Sequence, residues 1–346
     1  MLTYNNIILL GISYRIVIYI TLCFFPFYHN VFGNLSPLAY QEFADLDFYL
    51  RFGQGEIFSF SNFLENYKRI FLFDFSNVDS RYPGPLFPLL LSITFYKQNF
   101  TIVLSIIIFL FEIIAYLTWS QKKYSSYNIF ALLVFSLMPI PLYYGFKHST
   151  DIVFYLLFTL LYFELINKCR NKYISIIFLM LACLRPNCTL IFISIIFYIL
   201  ISKKYKKILG ITIFFLIIAI IYYSPYFIYE MNKLGSIDIN YKAFEIKDIF
   251  YFIFDYFQRV FYLLGFAPSN SGNNLFYFLR CICGVIFFIG LVNLLFKRDN
   301  KLDLVFVCFF IFGTATIFFP AYRYILPITP ILILYFSDLL SKKFIN

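Results

Sequence analysis

Residues 208–228 read ILGITIFFLIIAIIYYSPYFI, and this stretch contains no charged side chain. A helix needs about 20 predominantly apolar residues to cross the hydrocarbon core of a bilayer, and this stretch has that length. Comparable apolar runs recur along the chain, at 7–27, 99–118, 129–146, 152–166, 174–184, 188–202, 275–296, 302–320 and 325–340. The sequence therefore predicts an all-α polytopic membrane protein with about ten transmembrane helices.

The overall composition supports a membrane location. Of the 346 residues, 62% are hydrophobic and only 13% are charged, and the mean hydropathy is +0.80. A soluble globular protein is about half apolar and about a quarter charged, so the composition argues against that class. The formal net charge is +10, but Lys and Arg occur in short clusters between the apolar runs and not along one basic face. We therefore expect the chain to contact the lipid bilayer and no nucleic acid.

Positively charged clusters predict the orientation of the helices, because cytoplasmic loops are enriched in Lys and Arg. All clusters fall on one side of the membrane if the amino terminus is inside and about ten crossings follow. Both termini are then cytoplasmic in a multi-pass protein, and the inner (plasma) membrane of a bacterium is its expected location. The clusters are Lys122-Lys123, Lys168 to Lys172, Lys203 to Lys207, Lys297 to Lys301 and Lys342-Lys343.

This topology leaves two long loops outside, 28–97 and 229–274, within a single domain that spans 1–346. Residues 85–96 (PLFPLLLSITFY) then form an outer interfacial or re-entrant helix and not a full span. The apolar stretch 247–266 contains Asp255 and Arg259, four residues apart, and charges at the bilayer centre are costly. We therefore predict a second helix along the outer interface, with these two side chains paired.

Two aspartates and a tyrosine lie in the first long loop, within FADLDFYLRFGQGE at 43–56. On a helix, Asp45 and Tyr49 share one face and Asp47 lies on another, whereas an extended segment brings both carboxylates to bear on one target. A solvated loop is the simpler interpretation of acidic residues. These acids, however, stand among Phe, Leu and Tyr, and a carboxylate that is partly desolvated in this way is a candidate general base.

Further polar residues occur where the later apolar runs reach the outer face. Ordinary helix ends also carry such residues, since long cationic side chains anchor helices at the interface. Outer arginines beside outer aspartates nevertheless suit a ligand that has a phosphate and a hydroxyl group. The candidates are Arg81 and Tyr82, then Lys147, His148 and Asp151, then Arg185 and Asn187, and finally Arg323 and Tyr324.

Taken in order, these motifs resemble the GT-C superfamily of integral-membrane glycosyltransferases, mannosyltransferase-like enzymes that take sugars from polyprenyl-phosphate donors. The resemblance covers nearly the whole chain, although each motif is short. The sequence has Pro83-Gly84-Pro85-Leu86 where Pro-Pro-Leu is more usual. The matching motifs are Asp45-x-x-x-Tyr49, Tyr82 to Leu86, Asp151, Arg185-Pro186-Asn187 and Arg323 to Pro327.

The resemblance implies an inverting hexosyl transfer on the outer (periplasmic or lumenal) face, to a glycan, lipid or protein acceptor of the cell envelope. Asp45 is then the general base and Asp47 the second catalytic carboxylate. Arg185 and Arg323 are the leading ligands of the donor phosphate. The other candidates are assigned to substrate binding, namely Tyr49, Arg81, Tyr82, Lys147, His148, Asp151, Asn187 and Tyr324.

Metal use is left open by the resemblance, because some members of the superfamily use a divalent cation such as Mg²⁺ or Mn²⁺ and others do not. Asp45, Asp47 and Asp151 are the candidate ligands if a metal is used. The chain has two histidines, and its seven cysteines fall mostly within or beside apolar runs, so we expect no zinc-type cluster.

Two other functions fit a polytopic chain with outer arginines. A polymerase or ligase of lipid-linked glycans tends to have its large loop late in the chain, whereas here the first loop is long and holds the aspartates. A lipid or sugar transporter is expected to have charged residues in mid-helix and broken spans in matched halves. Glu112 and Glu164 are the main acids within apolar runs, and neither has an obvious matched partner in the sequence.

Overall fold

The computed structural model describes residues 4–24, 60–75, 78, 84–92, 101–120, 128–138, 150–167, 170–202, 206–235, 246–266, 274–297, 301–317 and 322–344. All regular secondary structure in these ranges is helical, which confirms the all-α class. The α-helices are α1 (Tyr4–Phe24), α2 (Phe60–Phe71), α3 (Leu86–Ser92), α4 (Thr101–Ser120), α5 (Asn128–Leu137), α6 (Thr150–Asn167), α7 (Asn171–Ala182), α8 (Cys188–Ser202), α9 (Lys206–Gly235), α10 (Ile246–Phe261), α11 (Asn274–Phe296), α12 (Lys301–Ile317) and α13 (Thr329–Phe344). A π-helical turn, Tyr262–Phe266, follows α10, and a 3₁₀-helix, Tyr322–Ile328, precedes α13.

Each apolar segment that the sequence predicted as a span carries a helix in the structure. The segment 208–228 lies within α9, which extends over 30 residues and includes Pro225. By length and composition, two of the described helices can cross a membrane, over Lys206–Tyr229 and Phe278–Phe296. Other apolar helices, such as Cys188–Ser202, are shorter.

The helices pack into a bundle with an apolar interior that is rich in aromatic side chains. Helix α8 packs against α9 and α12, α11 packs against α13, and α5 contacts both α1 and α13. The opposite face of α9 exposes more than half of the side chains of Phe214, Ile217 and Ile221. An exposed apolar face of this kind suits contact with lipid, which supports membrane association of the chain.

Helices α6 and α12 run antiparallel with their side chains in a regular register. Asp303 lies in the first turn of α12, and Asp151 lies in the first turn of α6. We name the two ends of this helix pair the Asp303 end and the Asp151 end. From the first to the second, the contacts are Tyr162 Oη to Asp303 Oδ1 at 2.8 Å, the Phe158 and Phe306 rings at 5.3 Å, and the Phe154 and Phe310 rings at 6.2 Å.

A buried ion pair joins α1 to α4. The Arg15 Nε donates to Glu112 Oε1 at 3.1 Å, and the two side chains are 1% and 6% exposed. Arg15 also donates to the carbonyl oxygens of Gly11 at 3.2 Å and Ser136 at 3.1 Å, and its guanidinium lies 4.2 Å from the ring centre of Tyr116. Glu112 is thus compensated by a charge 97 positions away in the chain.

The predicted helix over 247–266 and its charge pair are confirmed. Residues Ile246–Phe261 form α10, and Arg259 Nε donates to Asp255 Oδ2 at 2.8 Å. Both side chains are partly exposed.

Helix α2 is attached to α9 by a hydrogen bond. The Tyr67 hydroxyl of α2 donates to the carbonyl oxygen of Tyr222 at 2.8 Å.

We predict that Glu112→Gln strongly destabilises the protein, because it leaves the Arg15 charge buried without a counter-charge. Removal of one partner of a buried ion pair costs about 3–5 kcal/mol. The measurement is thermal unfolding of the purified protein in detergent. The control is Glu65→Gln, which breaks an exposed pair with Arg69 and is expected to cost less than about 1 kcal/mol. Equal stability of the two variants would contradict the role of the buried pair.

Candidate functional site

The turn between α7 and α8, residues 183–187, begins at the end of α7, and hydrogen bonds within α7 and from α9 fix that end. The N–H of Cys183 donates to the carbonyl oxygen of Leu179 at 2.9 Å, which closes the last turn of α7. The Tyr223 hydroxyl of α9 donates to the carbonyl oxygen of Ala182 at 3.0 Å. Because the last carbonyl groups of a helix have no partner within it, this bond fixes the position at which α7 ends.

A buried ion pair connects this turn to the start of α6. Arg185 Nη1 donates to Asp151 Oδ1, and the two side chains are 13% and 4% exposed. The guanidinium carbon lies 5.7 Å from the ring centre of Phe154, close enough for a cation–π contact. Asp151 lies in the first helical turn, where the helix dipole stabilises a carboxylate. Both charges are therefore held in position by contacts within the protein.

Asn187 stands immediately before α8 and is 2% exposed. An asparagine at this position usually accepts a backbone N–H with its side-chain oxygen and so caps the helix. Its Oδ1 has no hydrogen-bond partner among the residues that the structure describes. A buried acceptor without a partner is costly and rare, and it marks a place where a ligand or water can bind.

The segment that contains Gly84 returns to the same turn. The N–H of Leu86 donates to the carbonyl oxygen of Cys183 at 2.8 Å. A Cβ atom at Gly84 would lie 2.3 Å from that oxygen and 2.4 Å from the carbonyl oxygen of Leu184, so only glycine fits here. The glycine that separates two prolines in the sequence thus allows close backbone contact between the predicted first outer loop and the 183–187 turn.

The 3₁₀-helix Tyr322–Ile328 packs against α6, against α12 and against the π-helical turn Tyr262–Phe266. Arg323 and Tyr324 are the second and third residues of this helix. The 3₁₀-helix that contains the last of the sequence motifs therefore packs against α6, the helix whose first turn contains Asp151.

The structure brings three of the predicted site residues together, Asp151, Arg185 and Asn187. Arg185, which the resemblance assigns to the donor phosphate, is ion-paired with Asp151. Within the described ranges no group of three or more His, Cys, Asp or Glu residues could hold a metal ion. Seven predicted residues lie outside the described residues: Asp45, Asp47, Tyr49, Arg81, Tyr82, Lys147 and His148.

The sequence did not reveal the contacts of two other residues at this site, Phe154 and Gly84. Phe154 is one aromatic residue among many in an apolar run, so its contact with Arg185 could not be foreseen. Gly84 was visible as an unusual residue between two prolines, but its contact partners at 183 and 184 lie about a hundred positions further along the chain.

The arrangement can bind an anion and a hydroxyl group side by side. A guanidinium has five N–H donors in a rigid fork, so one face can hold a carboxylate while another meets an oxyanion. The Asn187 Oδ1 can only accept, so it suits a hydroxyl donor. No protein-family model, curated protein or solved structure matches the chain.

We predict that Gly84→Ala destabilises the protein by about 1–3 kcal/mol, the usual cost of forcing an atom into a filled site. The contacts are backbone oxygens, which cannot move aside as a flexible side chain can. The measurement is thermal unfolding in detergent. The matched control is Gly210→Ala in α9, where a Cβ meets nothing within 4 Å, so stability should be unchanged or up to about 1 kcal/mol higher. A Gly84→Ala variant as stable as this control would show that the close approach is absent.

Proposed function

We propose that this chain is a membrane glycosyltransferase of the GT-C type, which moves a sugar from a polyprenyl-phosphate donor to a glycan, lipid or protein acceptor. The observation that carries the proposal is the buried Asp151–Arg185 ion pair, with Asn187 two residues further along the same turn. A fixed guanidinium suits a phosphate group, and a neighbouring carbonyl acceptor suits a sugar hydroxyl.

We propose that the helices over the apolar segments cross the membrane about ten times, with both termini in the cytoplasm. The presence of a helix over every such segment supports this topology. The Lys and Arg clusters support the orientation, in which the Asp151 end faces outward. The donor then has its isoprenoid tail in the bilayer and its sugar phosphate at the Asp151 end.

The proposed reaction forms one bond and breaks one bond. The acceptor oxygen attacks the anomeric carbon, a carboxylate takes the proton of the acceptor hydroxyl, and the bond between that carbon and the phosphate oxygen breaks. The phosphate leaves with the electron pair and needs charge stabilisation more than protonation. We assign Asp45 as the base, with Asp47 as the second carboxylate, and Arg185 as a ligand of the departing phosphate.

The ion pair has a specific role in this proposal. A guanidinium buried without a counter-charge is strongly unfavourable, so Asp151 keeps Arg185 in place while the site is empty. When the donor phosphate binds, the guanidinium fork contacts both anions. Asp151 is therefore a positioning residue for Arg185.

We predict that Asp45→Asn lowers sugar transfer on the order of 100-fold or more, because the acceptor then lacks its base. Transfer is measured in membranes from radiolabelled undecaprenyl-phosphate sugars, with donor binding measured separately. The matched control is Asp255→Asn, which changes a partly exposed acid paired with Arg259 and should leave transfer unchanged.

The outcomes separate the candidate functions. Full transfer by a folded Asp45→Asn variant overturns the assignment of the base. A wild-type protein that moves the labelled lipid across vesicles, without any transfer, overturns the enzyme proposal in favour of transport. Growth of a lipid-linked glycan by many units in one reaction identifies a polymerase.

A further inference from the structure

The hydroxyl group of Thr314, near the end of α12, lacks the hydrogen bond that threonine normally makes inside a helix. Thr314 is 1% exposed, and its Oγ1 has no hydrogen-bond partner among the described residues. A buried hydroxyl in an apolar helix usually donates to the carbonyl oxygen four residues earlier. Thr159 donates in this way to Tyr155 at 2.9 Å, and Thr212 donates to Ile208 at 2.9 Å. The hydroxyl of Thr314 is therefore buried without the bond that would offset its desolvation.

The register of α6 and α12 places Thr314 at the level of Asp151. The rings of Phe154 and Phe310 are in contact, with their centres 6.2 Å apart. Asp151 precedes Phe154 by three positions, and Thr314 follows Phe310 by four. On an α-helix, residues three or four apart lie on one face, one turn apart. Since the two helices are antiparallel, both steps lead in the same direction, and Thr314 lies one turn beyond the aromatic contact, as Asp151 does.

Helix α8 places Asn187 close to the same level. A Cβ atom at Gly313 would lie 2.7 Å from Leu190 Cδ2, so α8 and α12 are in tight contact at this point. The N–H of Leu190 donates to the carbonyl oxygen of Asn187 at 3.2 Å, so these two residues are one turn apart. Thr314 directly follows Gly313. The orphan Oδ1 of Asn187 and the orphan Oγ1 of Thr314 thus occur within about one helical turn, roughly 5 Å, of each other along the bundle.

We propose that Thr314 and Asn187 form a hydrogen-bonding subsite for the hydroxyl groups of a carbohydrate, beside the Asp151–Arg185 ion pair. This proposal rests on the proposed glycosyltransferase function and names a residue, Thr314, that contributes substrate recognition. The proposal rests on two orphan polar groups, one just before α8 and one on the adjacent α12, at the level of a buried ion pair.

The chemistry of the two atoms selects the ligand class. The Asn187 Oδ1 can only accept a hydrogen bond, so its partner must be a donor. The Thr314 hydroxyl can donate or accept. A phosphate oxygen can only accept at neutral pH, so it does not match Asn187 Oδ1, whereas sugar hydroxyls match both atoms. We therefore assign the phosphate to Arg185 and the sugar ring to Thr314 and Asn187.

The first test is stability without ligand. Thr314→Val replaces the hydroxyl with a methyl group of similar size, and the hydroxyl has no bond to lose, so Tm should stay constant or rise by about 1–3 °C. Thr212→Val is the matched control, because it removes a bonded hydroxyl and should lower Tm by a similar amount. A fall in Tm for Thr314→Val equal to that of the control would mean that the hydroxyl is structural, which overturns the proposal.

The second test is ligand binding in nanodiscs, with three probes: undecaprenyl-phosphate mannose, bare undecaprenyl phosphate and methyl α-mannoside. Thr314→Val should weaken binding of a sugar-bearing probe about 3- to 10-fold, the effect of one lost hydrogen bond, and leave bare undecaprenyl phosphate unchanged. Thr314→Ser should restore binding. Asn187→Leu should act as Thr314→Val does.

The probes distinguish the two sources of a sugar hydroxyl. Weaker binding of undecaprenyl-phosphate mannose alone places the donor sugar at Thr314, and weaker binding of methyl α-mannoside alone places the acceptor there. Both results support the subsite.

The matched control is Ser337→Ala. This variant removes another buried orphan hydroxyl, close to Asp338 at the Asp303 end, and should change no binding constant.

The negative results also differ. If wild type binds the sugar lipid and Thr314→Val binds it equally well, the subsite is wrong and the glycosyltransferase proposal stands. If wild type binds all three probes and no variant changes any binding constant, the orphan atoms bind ordered water only. This result also overturns the subsite. If wild type binds none of the probes, both proposals are overturned.

Discussion

A charge buried in an apolar bundle is stable only when an opposite charge lies against it, and this constraint acts at two places among the described helices. Arg15 and Glu112 meet between α1 and α4, and Asp151 and Arg185 meet between α6 and the α7–α8 turn. Each pair joins segments that are distant in the chain. The positions of these helices relative to one another are therefore coupled to the pairing of charges as well as to the fit of aromatic side chains.

The two ends of the α6–α12 pair differ in how their polar groups are satisfied. At the Asp303 end, the carboxylate of Asp303 accepts from Tyr162 at 2.8 Å and from Tyr335 at 2.9 Å. Close by, Asp338 pairs with Lys297 and Asn293. At the Asp151 end, the buried ion pair of Asp151 and Arg185 is accompanied by orphan oxygens of Asn187 and, in the proposed subsite, of Thr314. The carboxylates at the Asp303 end are bonded within the protein, although the Ser337 hydroxyl there is an orphan, and they hold helices together. At the Asp151 end an orphan acceptor stands two residues from a buried guanidinium, so this end is the better candidate for chemistry.

Segments from distant parts of the chain pack on α6 and on the turn that pairs with it. Gly84 permits the chain before α3 to touch the 183–187 turn, and the 3₁₀-helix Tyr322–Ile328 packs on α6. In the proposed topology this end faces outward, where the first long loop carries Asp45 and Asp47. A sugar phosphate at the membrane surface would then contact residues from the first loop, the middle of the chain and its last helices. The proposed glycosyltransferase site is assembled from separate segments in this way, so each of its sequence motifs is short.

Apolar run lengths alone determined the all-α class and the position of nearly every helix, because a long uncharged segment has to satisfy its backbone groups within itself. Local spacing also determined the Asp255–Arg259 pair, since residues four apart are neighbours on any helix. Sequence reading selected Asp151, Arg185 and Asn187 as separate candidates. Only the tertiary structure decided that Arg185 pairs with Asp151, that Glu112 pairs with Arg15, and that α8 packs on α12 beside Gly313. These contacts join residues far apart in the chain, and the packing of large side chains between helices sets which of them meet.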